Sequence, residues 1–544
     1  MQPANPPSGT DGARAAAPAD ALARAEARSE LTEYLDLKEQ RRRLFPHAAL
    51  VGLLAGIAAV LFRLLVTAED GARNALIAWS HQAAIVGWIA PVVVGAVGAA
   101  LAVFLVRRYA PETGGSGIPH VEAVLLRRRE MRWRRVLPVK FFGGAAAIGA
   151  GLALGREGPT VQMGGAAGAA VAEFMRMPAR ARATLILAGA GAGLAAAFNA
   201  PLAGLVFVVE EMQRDFRPAV FGTAFVAAVI ADLVQRLVAG QLPVFTIPVY
   251  PTPPLSALPV FALLGLLCGL LGVVFNRGLL STLDVFQRLR GRGVYGAAGL
   301  VGGVAGLIAW FAPEVVGTGH ALTETTLQGQ LPAGIVVVLA VRFFLTLVSY
   351  ATGAPGGIFA PLLTLGALLG FAVGLQGHAL APAAVPQPAA FAVVGMAGCF
   401  AAIVRAPLTG IVLIVEMTGN YDQMLPLLVT CFCAYAVVEG LGQLPVYEAL
   451  LQRDLLQAGA DEKLHGPRVL EFEIEPGAAF AGRRIRELGL PAGCIIVRCR
   501  DGGREWVPTA ETRLEPHMRI TAVVAPDAAS GLQAMRQGCE APSP

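Results

Sequence analysis

The chain has 544 residues, 55% of them hydrophobic and only 15% charged, and its mean hydropathy is +0.60; that is far more apolar surface than one soluble core could bury. It reads as a polytopic membrane protein, and a net charge of +5, small for this length, implies no nucleic-acid partner. The 64 glycines and 37 prolines exceed what plain spanning helices need, and fit close helix packing with helices broken inside the bilayer.

Residues 1–44 are rich in Ala, Pro and alternating charge and lack the layout of a signal peptide. They are expected to form a disordered cytoplasmic tail running into a short amphipathic helix. Phe45 to Leu65 and Ile85 to Val106 are long enough to cross ~30 Å of hydrocarbon. Shorter apolar pieces broken by Gly and Pro follow: Ile118 to Leu126, Leu137 to Ala153, Pro159 to Met175, Ala183 to Phe198, Pro201 to Met212 and Pro218 to Val238. The second half continues from Leu255 to Phe275, Val294 to Phe311, Leu331 to Ala351, Ile358 to Leu375, Ala389 to Ala402, Pro407 to Met417 and Met424 to Leu441. Several of these must tilt or stop within the bilayer. The basic runs Arg41 to Arg43, Arg127 to Arg129 and Arg132 with Arg134 and Arg135 mark cytoplasmic loops, which places a multi-pass chain in the cell (inner) membrane with both termini cytoplasmic.

Within this apolar sequence stands Gly155-Arg156-Glu157-Gly158-Pro159. An ionisable pair at bilayer depth marks a functional site by default. The two glycines permit a non-helical backbone and Pro159 suits the first turn of a new helix, so a helix is expected to begin mid-membrane. Its unpaired N–H groups and positive dipole end would make an anion site, with Glu157 as a tethered anion. A surface loop carrying an ordinary ion pair is the alternative.

An internal repeat ties the halves together. Ala200-Pro201-Leu202-Ala203-Gly204 is followed nine residues after its proline by Glu210, and Ala406-Pro407-Leu408-Thr409-Gly410 nine residues after its proline by Glu416. Upstream of each lies a glycine-broken segment with proline, Gly155 to Pro159 and Gly353 to Pro361. Two related halves, roughly 118–240 and 294–441, each with a broken helix, point to a transporter with its binding site between them. The expected fold class is an all-α polytopic membrane domain over 45–457, built of two related repeats of tilted and broken helices; inversion of the repeats is the expectation, though the sequence by itself does not show their relative direction. Glu210 and Glu416 occupy equivalent positions and fit a shared structural task such as accepting backbone N–H groups. Glu211 has no counterpart, since Met417 follows Glu416, and an unrepeated buried acid is the one to suspect of a special function.

Beyond Tyr447 the composition turns to mixed charge. Residues 468–526 read as a small α+β cytoplasmic domain: strand Val469 to Ile474, short helix Gly482 to Leu488, strand Cys494 to Arg500, a turn at Asp501-Gly502-Gly503 and strand Arg519 to Val524, with 527–544 as a C-terminal tail. So small a sheet would be marginal alone and is expected to pair with its copy in a dimer. The seven cysteines form no CxxC, the seven histidines are scattered, and HExxH and GxSxG are absent. No metal, no disulfide framework and no hydrolase are supported.

Gly115-Ser116-Gly117-Ile118-Pro119, Gly155-Arg156-Glu157-Gly158-Pro159, Gly357-Ile358-Phe359-Ala360-Pro361 and Tyr447 after the last span, in this order, resemble the motifs of the CLC family of chloride channels and proton-coupled chloride antiporters. The tail resembles the C-terminal lobe of TrkA/RCK regulatory domains, though Pro516-His517 stands where Gly-Asp is usual. The resemblance implies a homodimer in membrane lipid with one anion pathway per subunit, chloride and protons as the transported partners, and no cofactor. By that resemblance Ser116, Tyr447 and the backbone N–H groups of Ile358 and Phe359, with Gly158, hold the central chloride; Glu157 is the gate and Glu211 the internal proton-transfer acid. Gly115, Gly117, Pro119, Pro159, Arg156, Glu210, Glu416 and Lys140 are supporting residues. Serine N-capping and an interfacial belt tyrosine are the plainer readings of Ser116 and Tyr447; Lys140 either adds positive potential to the pathway or snorkels. A proton-coupled chloride antiporter is the expected function, a passive channel of the same fold the alternative. The retained serine and tyrosine speak against a fluoride exporter, and a nitrate preference would show proline at the Ser116 position.

Overall fold

The computed structural model describes residues 16–82, 86–214, 218–248, 250–330, 334–457, 468–501, 504–525 and 529–540. The starts expected at Ile85 and Leu331 and the turn at 502–503 lie outside these. Contacts divide the chain into one unit of Met1–Val121 and Met131–Leu450 and another of Glu122–Glu130 and Leu451–Pro544.

The first unit is helical throughout. Its first half runs α1 (Ala16–Ser80), α2 (Ile89–Tyr109), α3 (Ile118–Leu125), α4 (Trp133–Gly149), α5 (Glu157–Phe174), α6 (Ala179–Phe198), α7 (Pro201–Phe207) and α8 (Pro218–Ala239). The second runs α9 (Leu258–Gln287), α10 (Gly293–Phe311), α11 (His320–Leu327), α12 (Ile335–Ala351), α13 (Phe359–Leu380), α14 (Pro388–Val404), α15 (Pro407–Thr418) and α16 (Met424–Gly440), after which α17 (Val446–Gln457) follows. Among the described residues, eight helices are long and apolar enough to cross a membrane. The expected short helix ahead of the first span is instead continuous with it. Nothing in residues 30–45 breaks a helix, and Pro46 removes one backbone rung without stopping α1.

The repeat is broader than the sequence reading placed it. A 3-10 turn at Pro111–Thr113 separates α2 from α3, and one at Pro313–Val315 separates α10 from α11 in the same way, so the halves match element by element from α2 and α10 onward. Equivalent helices meet antiparallel. Pro91 of α2 lies against Gly306 of α10 and Gly95 against Gly302, while Glu416 near the end of α15 bonds to the start of α7. A two-fold axis across the helices is the only operation that pairs like elements head to tail, so the repeats are inverted. Glycines replace side chains where backbones touch, Gly164 against Gly189 between α5 and α6 and Gly366 against Gly395 between α13 and α14. One departure from symmetry matters below: α7 passes into a π-helical turn, Val208–Gln213, whereas α15 stays α-helical through Glu416 and Met417.

The second unit carries an antiparallel sheet of order β1-β4-β2-β3, from β1 (Arg468–Glu473), β2 (Cys494–Asp501), β3 (Arg504–Trp506) and β4 (Arg519–Val524). The helix expected at Gly482 to Leu488 is a single 3-10 turn, Ile485–Glu487. Residues read as a tail hold α18 (Ala529–Cys539). Its Met535 and Cys539 join a core with Ile474, Phe480, Leu514 and Ile520, and its end is tied down where Glu475 N–H donates to the Cys539 carbonyl at 2.9 Å. Two buried residues four apart are too short an apolar stripe to be seen in the sequence. Burial pushes the Cys499 thiol to about 11 and Cys539 to about 12, so both are inert packing groups at neutral pH.

Candidate functional site

Three glycine-rich loops that are remote in sequence meet at the centre of the first unit through backbone bonds. Gly155 and Gly357, two residues ahead of α5 and α13 respectively, pair with each other in both directions at 2.6 and 2.7 Å. Gly115 donates to the Ala354 carbonyl at 3.1 Å and accepts from Gly356 N–H at 3.0 Å. Each loop leads into a helix N-terminus, so α3, α5 and α13 all begin here with first-turn N–H groups that have no acceptor within their own helix. Pro119, Pro159 and Pro361 fall in those first turns, where a missing N–H costs nothing.

Glu157 is the first residue of α5 and is 2% exposed. Its Oε2 accepts the Ala360 N–H in the first turn of α13 at 3.3 Å. The carboxylate thus occupies an anion position at another helix's positive end. Gly155 has no Cβ because one would run into this same Oε2. Arg156 lies beside the acid, Nε to Oε1 at 3.9 Å, and donates to the Ala197 carbonyl at 3.4 Å, which fixes the loop to the end of α6.

Ser116 is fully buried, and among the described residues its Oγ has no hydrogen-bond partner. Its own N–H faces the Tyr350 hydroxyl at 3.4 Å. A buried hydroxyl left open at the meeting point of three helix N-termini is a donor awaiting an acceptor, not a helix cap. Ile358 and Phe359 are fully buried where α13 begins, and the buried Tyr447 lies near-parallel to the Phe359 ring with centroids 6.1 Å apart. A Cβ on Gly158 would stand 2.6 Å from Ser116 Oγ and 2.8 Å from its carbonyl. Gly158→Ala is therefore expected to displace Ser116 and to cost about 1–3 kcal/mol of overpacking, checked as a lower unfolding temperature of the purified variant.

Lys140 does not snorkel. It is fully buried, and its Nζ donates to the carbonyls of Thr113 at 2.9 Å and Gly115 at 2.7 Å, bracing the loop that carries Ser116. Gln162, which the sequence reading passed over, braces the same loop by donating to the Glu112 carbonyl at 2.8 Å. Its trace in the sequence is Gly117: at φ 84° and with Gln162 where a Cβ would go, only glycine fits.

The acids of the repeat lie apart from this centre and act reciprocally. Glu210 accepts Leu408 N–H at 3.0 Å, and Thr409 N–H and hydroxyl both at 2.7 Å. Glu416 accepts Leu202 and Ala203 N–H at 3.1 and 2.7 Å. Each acid caps the helix that opens the equivalent motif in the other half. Glu211 sits in the π-helical turn, 3% exposed, in register with Met417, which is 1% exposed. One half thus buries an acid where the other buries a thioether. A cavity of about 350 Å³ reaches Glu157 and Ala360 from one side, with Met417, Arg156, Thr318 and Thr364 among its walls.

Residues 98–439 match the family described as voltage gated chloride channel, and residues 469–535 match the TrkA-C domain. A relative from Vibrio parahaemolyticus serotype O3:K6, described as H(+)/Cl(-) exchange transporter ClcA, is 44% identical over 415 residues, covering 75% of this chain and 89% of its own length. One of the same description from Citrobacter koseri is 40% identical over 433 residues, 78% of this chain and 92% of that one. Among solved structures, that of a slow cyanobacterial Cl-/H+ antiporter superposes with TM-score 0.73 at 37% identity over 76% of this chain and 98% of that chain. A CLC-type fluoride/proton antiporter, at 20% identity and TM-score 0.64 over 75% and 97%, shares the fold.

Proposed function

The chain belongs to the voltage gated chloride channel (CLC) family, and from that premise we propose that it exchanges chloride for protons across the membrane, with Glu157 as the shared element of both paths. The observation that carries this reading is the Glu157 carboxylate on the Ala360 N–H, at a helix N-terminus beside the open Ser116 hydroxyl. Ionised, the side chain fills the place an anion would take. Protonated, it loses its attraction to the dipole and yields that place to chloride. One carboxyl thus makes chloride passage conditional on a proton. The relatives described as H(+)/Cl(-) exchange transporters support the same reading.

Chloride rests between Ser116, Tyr447, Gly158 and the N–H groups of Ile358 and Phe359. Neutral donors suit a transported ion: they replace its hydration, whereas a full cation in contact would hold it. Arg156 and Lys140 bond to carbonyls and a carboxylate, which keeps their charge near but out of contact. Glu211 relays protons from the opposite side, for which its place across the two-fold axis from Met417, a cavity wall, is the support. The active form is a homodimer in the inner membrane with both termini cytoplasmic, and the domain around β1 to β4 modulates or supports it. Transport of this kind needs no cofactor beyond the ions carried.

Purified protein in liposomes with a chloride gradient and an external pH electrode tests the proposal. Chloride efflux should drive proton uptake; chloride movement without any proton movement would make the protein a channel. Ser116→Ala and Tyr447→Ala should each weaken chloride binding by about 1–3 kcal/mol, the value of a donor to a desolvated anion, as read by titration calorimetry. Unchanged affinity in both removes them from the site.

A further inference from the structure

The inverted repeat builds the Ser116 loop twice. Ala110-Pro111-Glu112-Thr113 leads through Gly115-Ser116-Gly117 into α3, and Ala312-Pro313-Glu314-Val315 leads through Gly317-Thr318-Gly319 into α11. The backbones agree: φ is 62° and 84° at Gly115 and Gly117, 65° and 82° at Gly317 and Gly319. Behind each loop lies a fully buried cation at the same position of the next long helix, Lys140 in α4 and Arg342 in α12. Both donate to the equivalent carbonyl, Lys140 Nζ to Thr113 at 2.9 Å and Arg342 Nη1 to Val315 at 2.9 Å.

They differ in what is left over. Lys140 also reaches the Gly115 carbonyl at 2.7 Å, whereas Arg342 Nε and Nη2 have no hydrogen-bond partner among the described residues. Nη2 is directed at Gly319, the residue that caps α11: a Cβ there would stand 2.6 Å from it and 2.6 Å from Thr364 Oγ1. A fully buried guanidinium with two donor groups unanswered is costly unless an anion answers them. Thr318, Gly319 and Thr364 line the cavity that contains Glu157. The Arg73 guanidinium nearby is paired to Asp70 through Nη1 at 2.7 Å and, of its buried nitrogens, keeps only Nε without a partner among the described residues, against two such nitrogens on Arg342, while the Asp70 carboxylate, 3.6 Å from a Cβ on Gly317, limits how tightly an anion is held.

We propose that the N-terminus of α11, with the Thr318 hydroxyl and the Arg342 guanidinium, is a second site for a small monovalent anion of the chloride type, on the cavity side of Glu157 as the Ser116 site is on the other. The α11 site is the symmetry mate of the Ser116 site and feeds or receives its ion. It rests on the reading of this chain as an anion transporter. By the balance of charges it is loaded and emptied within each turnover, its occupant being held by one hydroxyl, one shared cation and helix dipole.

Full-length protein crystallised in bromide reads halide positions by anomalous scattering. Besides a peak near Ser116, one is expected between Thr318 and Arg342; Arg342→Met should abolish it and Thr318→Val weaken it, both leaving the Ser116 peak. In liposomes each variant should raise the half-saturating chloride concentration on the cavity side about tenfold, the effect of one charge-assisted hydrogen bond. Thr318→Val removes from a half-exposed residue a hydroxyl that also accepts the His320 N–H at 3.4 Å, a small change that decides the matter if Arg342→Met does not fold. A Ser116 peak with none at Arg342 overturns this inference and leaves the transport reading standing, and bromide at neither position overturns both. Bromide bound at Arg342 with half-saturation unchanged in the variants is adventitious, and also overturns it.

Discussion

Glutamine in place of Glu157 is expected to leave chloride flux running at every pH and to abolish coupled proton movement. In the wild type the carboxylate accepts the Ala360 N–H; on the proposed reading its ionised form blocks the start of α13, so flux should rise as pH falls and the acid takes up a proton. Glutamine retains a carbonyl oxygen for that N–H but has no charge to hold it there and no proton to carry. Glu157→Ala removes the side chain altogether and should behave alike, with the Ala360 N–H freed for the anion. Both changes take the carboxylate from beside Arg156, which keeps the Ala197 carbonyl as its acceptor, so the fold should survive both. The measurement is parallel chloride and proton flux from liposomes between acid and neutral pH. An alanine variant that still moves protons uphill on a chloride gradient would falsify the gating role.

The sequence made the ends of this site legible and hid its closure. The broken helices could be read because Gly155, Gly158 and Pro159 have chemistry of their own, and the repeat because Ala-Pro-Leu and the acid nine residues on recur. What joins the loops is backbone to backbone: the Gly155 and Gly357 pairing involves no side chain, and so leaves no residue type to find. The tasks of Lys140 and Gln162 were hidden for a related reason, since the carbonyls they hold belong to any residue. Thr318 went unread because the repeat was placed too narrowly, beginning at α3 and so omitting the turn that aligns Pro111 with Pro313. The π-helical turn at Val208–Gln213 has no sequence signal against the α-helical α15, although the two segments share their proline, glycine and acid.

That turn bears on Glu211, the acid with no counterpart in the repeat. Glu210 and Glu416 are spoken for: each accepts two N–H groups at the start of the other half's helix, and Glu210 the Thr409 hydroxyl as well. Glu210→Gln keeps one acceptor, loses the charge that faces the dipole of α15, and should cost about 1–3 kcal/mol, seen as a lower unfolding temperature with proton coupling retained in the folded fraction. At the position equivalent to Glu211 the second half buries Met417, so one copy of the repeat takes an apolar side chain of similar length there. π-helical turns recur at functional positions, where they alter the direction of side chains without altering the helix that carries them. Glu211→Gln preserves that length and cannot release a proton. It should therefore stop proton movement entirely while chloride passes and the unfolding temperature stays within about 2 °C of wild type, as expected for a substitution that disturbs no packing. The two glutamine variants should not exchange phenotypes. If Glu211→Gln retains full chloride-driven proton uptake, the proton does not pass through this acid, and if the wild type shows no such uptake the protein is a channel whose π-helical turn serves packing alone.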